Sequence, residues 1–271
     1  MIRRGLLAPN AQPLTPSTDK GVNETWKGRV LLLDGSSVQG YAKFISGSQL
    51  INELLVNTLG RLVGLNVPEP FLVRVDKIDY PREFARLGFM ADQVIAFGTS
   101  ALPGGSLARM WQEVGPNFID SLLDGTDEWK RIAAFDTWVG NIDRHFKNLF
   151  YDGSKKGQLW LLDHGHCFGS QNWTEEDLNG ANDHRNRLLD DLQSLGYLSA
   201  ERRKAVLDNA PLTQQASSLV DLDGAIDDSS ARDIAPPSTA LKLIQYLDYR
   251  RQLLLNLVAD KVGMPLLPFG A

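Results

Sequence analysis

The 271-residue sequence predicts an α+β protein in two lobes: a small mixed β-sheet lobe with one helix, residues 1–98, then a mainly helical lobe, residues 99–271. Three observations carry this expectation. The first hundred residues read β-β-α-β, followed by one further strand. A stretch rich in Gly, Pro and Ser, FGTSALPGGS at 97–106, then breaks the pattern. Beyond it apolar residues recur at i, i+3, i+4 spacing, with one short hairpin among the helices.

Composition sets the outer bounds. With 43% hydrophobic and 23% charged residues the chain is ordinary globular material, long enough to bury a large core. A net charge of −5 argues against a dedicated nucleic-acid binder, because there is no basic excess to neutralise phosphates. The single cysteine, Cys167, leaves no disulfide within the chain and fits a reducing compartment. The start, MIRRGLLAPN, has too short an apolar run for a secretory signal. No stretch reaches the ~20 apolar residues of a membrane span. The expectation is a cytoplasmic protein without nucleic-acid or membrane partners.

Residues 1–22, with APNAQPLTPSTDKG at their centre, have loop chemistry. Two readings stand: a flexible terminus, or a flap in which backbone N–H groups of Ser17, Thr18 and Gly21 approach phosphate. WKGRVLLLDGSSVQGYAKFI reads as two strands joined around Asp34-Gly35, with Lys43 in the second. On position alone a lone strand lysine is a solvated face. Residues 49–65 place Leu50, Leu54, Leu55, Leu59 and Leu62 at helical spacing, with Glu53 in an early turn and Gly60 or Gly64 at the end. Asn66-Val67-Pro68-Glu69-Pro70 breaks that helix, and FLVRV at 71–75 and FMADQVIAF at 89–97 supply strands. Ser106 reads as an N-cap, with an anion site at Gly104-Gly105-Ser106 as the sharper alternative.

Past the linker, LARMWQEV, NFIDSLLDG and DEWKRIAAFDTWVGN are helical, with Trp129, Ile132, Phe135 and Trp138 as core. Residues 170–187 are polar and suit a mobile substrate or activation segment. Residues 188–208 look helical, 209–238 carry little pattern and an acidic excess at 219–233, and 238–262 form a last amphipathic helix.

The chemistry lies between Phe135 and Gly169. A helix ending near Gly140 leads to a loop holding Asp143, His145 and Asn148. LFYDGSKKGQLWLLD then reads strand (149–151), turn and strand (158–162), so Asp163 folds back beside Asn148. A carboxylate and an amide oxygen are hard ligands suited to Mg²⁺, which takes phosphate oxygens as further ligands. Protein kinases use this order: a catalytic-loop Asp, an Asn five residues on, and a metal-binding Asp opening D-F-G. Here the last motif is Asp163-His164-Gly165.

Asp143-Arg144-His145-Phe146-Lys147-Asn148 with Asp163-x-Gly165 resembles the catalytic and metal loops of phosphatidylinositol 3- and 4-kinases. The wider pattern F-D-x-W-x-x-N-x-D-R-H-x-x-N-L looks still more like HipA-like kinases, as do Gly40-Tyr-Ala-Lys43-Phe, Asn52-Glu53-Leu and Gly64-Leu-Asn-Val-Pro68-Glu-Pro. The resemblance spans about residues 25–170 and implies a protein-kinase-like fold using ATP and Mg²⁺. It implies Lys43 on the nucleotide phosphates and Glu53 pairing with it. It puts Asp143 on the acceptor hydroxyl, with His145 positioning the loop or stabilising the leaving phosphate, and Asn148 and Asp163 on the metal. Residues 94–99, Ala96 and Phe97 among them, would meet adenine through their backbone. The phosphate loop is either residues 15–22, with Ser17 and Thr18, or the turn at 34–40. The implied acceptor is a protein Ser or Thr, including residues 15–18 or 170–174 of the chain itself. Alternatives are a lipid or small-alcohol kinase, and a nucleotide-binding pseudokinase. A separate reading takes His145, His164, His166 and Cys167 as zinc ligands of a hydrolase.

Overall fold

The computed structural model describes residues 1–14, 23–45, 47–102, 104–152, 158–264 and 266. The strands are β1 (Arg3–Leu7), β2 (Gln12–Pro13), β3 (Thr25–Leu32), β4 (Ser37–Lys43), β5 (Pro70–Asp76) and β6 (Gln93–Ser100), with helix α1 (Gly47–Leu62) after β4 and α2 (Pro81–Leu87) after β5. Their order is β1-β5-β6-β4-β3-β2, and β1 also pairs with β3, so five strands close on themselves and β2 extends β3. The β1–β5 pair is parallel and the others antiparallel, which is the expected mixed sheet. Closure removes the open edges that would otherwise invite pairing with another chain. Trp26, Tyr80 and Phe44 pack their rings inside, with centroids 4.7–4.8 Å apart.

Residues 3–7 and 12–13 are strand, not loop. RRGLL carries no β-branched residue, and β1 forms by pairing with a strand 68 positions away, Arg3 opposite Phe71. Long-range pairing overrides weak local preference. The sixth strand also runs further than FMADQVIAF suggested. Residues 97–100 pair with β4 and 93–99 with β5, so the first part of the expected linker is sheet.

Helix α1 is buried on every face from Gln49 to Asn57, while Arg61 and Leu62 at its end are exposed. Leu50 and Leu54 pack with Phe97 and Leu72 on the sheet side, while Ile51, Leu55, Val56 and Leu59 join the large core on the other. Within it Asn52, Glu53 and Asn57 are buried polar residues, whose burial costs free energy wherever a hydrogen-bond partner is missing. Gly64, at φ +74°, turns the chain out of the helix.

After β7 (Gly105–Ser106) come α3 (Leu107–Val114), α4 (Pro116–Gly125) and α5 (Glu128–Val139). The Ser106 hydroxyl accepts from the Arg109 amide at 3.2 Å, the expected N-cap. Trp129, Ile132, Phe135 and Trp138 on α5 are buried in the large core. A short 3₁₀ turn, Phe146–Asn148, leads to the hairpin β8 (Leu149–Tyr151) and β9 (Leu159–Leu161), in register Leu149 to Leu161. The remaining helices are α6 (Arg187–Ser194), α7 (Ala200–Ser218), α8 (Leu222–Asp228), α9 (Ala231–Ile234), α10 (Pro237–Gln252) and α11 (Leu254–Lys261).

The stretch at 209–238 is therefore largely helical. Pro211 lies inside α7, and the acidic residues of α8 face Arg232, which pairs with Asp223 at 2.6 Å and Asp227 at 2.5 Å. Their buried stripe is small, Leu222, Ala225, Ile226 and Ala231, so periodicity is faint there. The expected last helix breaks at Leu253 into α10 and α11. Among the described residues no helix is long and apolar enough to cross a membrane.

Candidate active site

Helix α5 ends at Gly140, whose left-handed φ of +62° turns the chain into the loop carrying Asp143. A side chain there would collide with the Tyr246 hydroxyl and the His184 ring. The loop is then fixed by a buried polar chain. Asp136 accepts from Asn141 Nδ2 at 2.9 Å, and Asn141 Oδ1 accepts from the Asp143 amide at 3.0 Å. Arg144, wholly buried, meets Asp136 Oδ2 at 3.0 Å and donates to the carbonyls of Asn148 (3.2 Å) and Leu162. One side chain thus ties the loop at 143–148 to the strand that delivers Asp163. The Asn148 amide nitrogen donates to the Asp143 carbonyl at 3.0 Å, leaving its oxygen as the atom available for a metal.

The cleft beside this loop has a volume of about 340 Å³ and is lined by Lys43, Glu53, Phe97, Asn148, Asp163 and His164 among others. Lys43 Nζ lies 2.8 Å from Glu53 Oε1 and 2.8 Å from Asp163 Oδ1. Three residues separated by 10 and 120 positions therefore converge on one ammonium. The other oxygen of Glu53 accepts from the His164 amide at 2.9 Å. Asp163 sits at φ +55°, a conformation that costs a non-glycine residue about 1–3 kcal/mol and gathers at functional sites. Helix α1 holds the same segment through Asn52. Its Nδ2 donates to the carbonyls of Gly165, Cys167 and Ser170, and its Oδ1 accepts from Trp173 Nε1 at 2.6 Å.

Electrostatics follow from this packing. Burial works against charge on Lys43, but the Glu53 and Asp163 carboxylates raise its pKa above the ordinary lysine value. Burial pushes Glu53 up, with Lys43 pulling it back. Burial also opposes ionisation of Asp163, yet the Lys43 charge and hydrogen bonds hold its carboxyl well below the usual carboxylate range. Burial lowers the pKa of His145, against the pull of Asp143. Because the Lys147 amide donates to His145 Nδ1 at 3.2 Å, the proton sits on Nε2, 3.8 Å from Asp143 Oδ2. His164 Nδ1 faces the Arg144 guanidinium at 3.0 Å, and a guanidinium only donates, so its proton is also on Nε2.

Of the residues expected from sequence, Lys43, Glu53, Phe97, Asn148 and Asp163 line the cleft, and Asp143 and His145 lie on the loop beside it. Ala96 is fully buried in the core of the strand barrel and is not among the lining residues. The backbone of 97–99 is taken up by sheet pairing on both sides, and the wall is made by Phe97, Thr99, Ser100 and Leu102 instead. Ser17 and Thr18 lie outside the described residues. The turn at 34–40 is an ordinary hairpin. Asp34 binds Ser36 and Arg3, and its pKa falls to about 2, chiefly through the Ser36 hydrogen bonds. It does not line the cleft, whereas Leu14 and Thr25, either side of 15–22, do.

The zinc reading fails. Among the described residues no group of three His, Cys, Asp or Glu is arranged to hold a metal. His164 is committed to Arg144, and Cys167 is a buried thiol whose pKa burial drives well up. The oxygen pair of Asn148 and Asp163 fits Mg²⁺, because both are hard donors and Asp163 is held ionised.

Sequence reasoning missed Arg187, whose Nη1 lies 3.2 Å from Asp143 Oδ1. No local motif marks it. It also gave no role to Asn52, Asp136, Asn141 or Arg144, although all stand inside the quoted motifs. The segment at 170–187, expected to suit a mobile substrate or activation segment, is anchored. Buried Arg250 donates to the carbonyls of Gly180 and Asn182 as well as Thr137 and Trp138 on α5.

Fold and site together define a kinase-type phosphotransferase. The sequence profile described as HipA-like kinase matches residues 38–194, more than half of the chain, and the chain belongs to that family. Its fold is similar to that of a Helicobacter pylori proinflammatory kinase, CtkA, with TM-score 0.54 and 14% identity over 88% of this chain and 94% of that one. A weaker likeness, TM-score 0.38 at 9% identity, joins 95% of this chain to 12% of CtTel1 in its open conformation. No curated protein sequence matches the chain.

Proposed function

We propose that the protein transfers the γ-phosphoryl group of Mg-ATP to a serine or threonine hydroxyl of a protein. The observation that carries this is the convergence of Glu53 and Asp163 on Lys43 at 2.8 Å each, in a cleft lined by Asn148, on the same loop as Asp143. In this reading the sheet half of the chain holds the nucleotide and the helical half the catalytic and metal loops. Lys43 neutralises phosphate charge and Glu53 fixes its direction. Asn148 and Asp163 hold the metal, which when bound supplies charge neutralisation to the phosphates. Asp143 orients the acceptor hydroxyl and receives its proton, with His145 Nε2–H beside it. Leu14 and Thr25 border the cleft and are joined, Leu14 N to Thr25 O at 2.9 Å, which favours 15–22 over 34–40 as the phosphate loop. A lipid acceptor finds less support, since the chain carries a net charge of −5 and anionic membrane surfaces attract basic segments.

The test is incubation with γ-labelled ATP and Mg²⁺ in a cell lysate, comparing wild type with Asp143→Ala. Label appearing on a protein band only with wild type supports the proposal. Equal incorporation by both, or none by either while ATP still binds, rejects it.

A further inference from the structure

The loop that carries Asp143 is met by two basic side chains in an acidic chain. Arg187 is the first residue of α6, and its guanidinium reaches back to Asp143 Oδ1 at 3.2 Å and along the helix to Asp191 at 3.5 Å. A cation at a helix N-terminus opposes the helix dipole, so this position is unfavourable unless acidic neighbours offset it. Asp190 and Asp191 in the first turns do so in part. Arg185, two residues earlier, donates from Nε to the carbonyl of Ile142, the residue before Asp143, at 3.0 Å. Neither Nη2 of Arg187 nor either terminal nitrogen of Arg185 has a hydrogen bond among the described residues. Two guanidinium groups thus flank the residue that must meet the acceptor hydroxyl, with donors to spare.

The Arg187–Asp143 contact is also weakly held. Arg187 is 36% exposed and Asp143 26% exposed, and solvent screens such a pair. An incoming anion can therefore draw the guanidinium away and free Asp143 Oδ1. We infer that the acceptor segment carries a carboxylate next to its hydroxyl, and that Arg187 and Arg185 receive it. Without such a group Arg187 rests on Asp143 and occupies the oxygen the hydroxyl needs. This rests on the phosphotransferase reading above and adds to it the charge of the substrate.

The experiment uses three fluorescent peptides that differ only beside one serine, bearing glutamate, glutamine or lysine. Binding is read by anisotropy without nucleotide, and phosphorylation by kcat/KM with Mg-ATP, for wild type, Arg187→Gln, Arg185→Gln and Arg187→Glu. Circular dichroism checks that each variant is folded. Wild type is expected to favour the glutamate peptide over the glutamine peptide by roughly three- to tenfold at low salt, as two partly exposed charge pairs allow, and less as salt rises. Each glutamine variant should lose part of that preference, and Arg187→Glu should favour the lysine peptide. Equal binding of all three peptides by wild type overturns the inference, as does an undiminished preference in Arg187→Gln. Binding to anionic lipid vesicles without peptide discrimination also overturns it, in favour of a lipid acceptor. If no peptide is phosphorylated but charge selectivity in binding depends on Arg187, the phosphotransferase reading fails and the recognition site stands.

Discussion

Replacing Asp136 by leucine tests whether the catalytic loop is held by a buried ion pair. Arg144 and Asp136 side chains are both 0% exposed and meet at 3.0 Å, so removing the carboxylate strands a guanidinium in the core. Breaking such a pair from one side costs about 3–5 kcal/mol. At roughly 2–4 °C per kcal/mol for a large domain, the melting temperature should fall by about 6–20 °C. Arg144→Met should cost a similar amount. The double variant Asp136→Leu/Arg144→Met should be less destabilised than the sum of the singles by more than about 1 kcal/mol, because no unpaired charge remains. Denaturant unfolding of all four proteins measures this. The double variant should still lose catalysis, since the carbonyls of Asn148 and Leu162 lose the donor that joins the two loops. Additive effects in the cycle would refute the ion pair as the element that holds the loop.

The same geometry yields further outcomes. Gly140→Ala forces a left-handed residue and a collision with Tyr246 and His184, and should cost more than about 1–2 kcal/mol on the backbone alone, read by denaturant midpoint. The folded pKa of Asp163 is depressed, so its stabilisation is present above the unfolded value near pH 4 and is lost as pH falls further. Asp163→Asn should flatten that acid limb in a pH series of melting temperatures. His184 is lowered to about 4, mainly by burial, so the neutral ring favours folding above its unfolded pKa near 6.5. Stability should decline between pH 6.5 and 4, and His184→Phe should remove that slope. Asn52→Ala removes the amide nitrogen that three carbonyl oxygens share and should lower kcat more than ATP affinity, checked by titrating nucleotide binding beside turnover.

Much of the site was legible because its spacing is local. The hairpin that returns Asp163 to Asn148 needs only two apolar triplets and a turn, and the observed strands differ from expectation by a residue. Helix α1 and Gly140 were equally plain, one from leucine periodicity, the other from glycine after an apolar helix. What stayed hidden depends on distant partners. Arg3–Leu7 is a strand only because β5 and β3 receive it on either side. Arg187 lies 44 residues from Asp143, and nothing in its neighbours signals the contact. Strand alternation sends the Ala96 side chain to the barrel core while Phe97 lines the cleft, a division that the apolar run at 94–97 does not reveal.

The most direct measurement is single-turnover transfer from γ-labelled Mg-ATP to a phosphorylatable protein, followed by rapid quench for wild type, Lys43→Met, Asp143→Ala and Asp163→Ala. The account predicts label on the acceptor with wild type, lost on chelation of Mg²⁺, and a fall of at least about a hundredfold in each folded variant, the size seen when a charge-stabilising or proton-accepting group is removed. Transfer that survives Asp143→Ala or Asp163→Ala at the wild-type rate would contradict it.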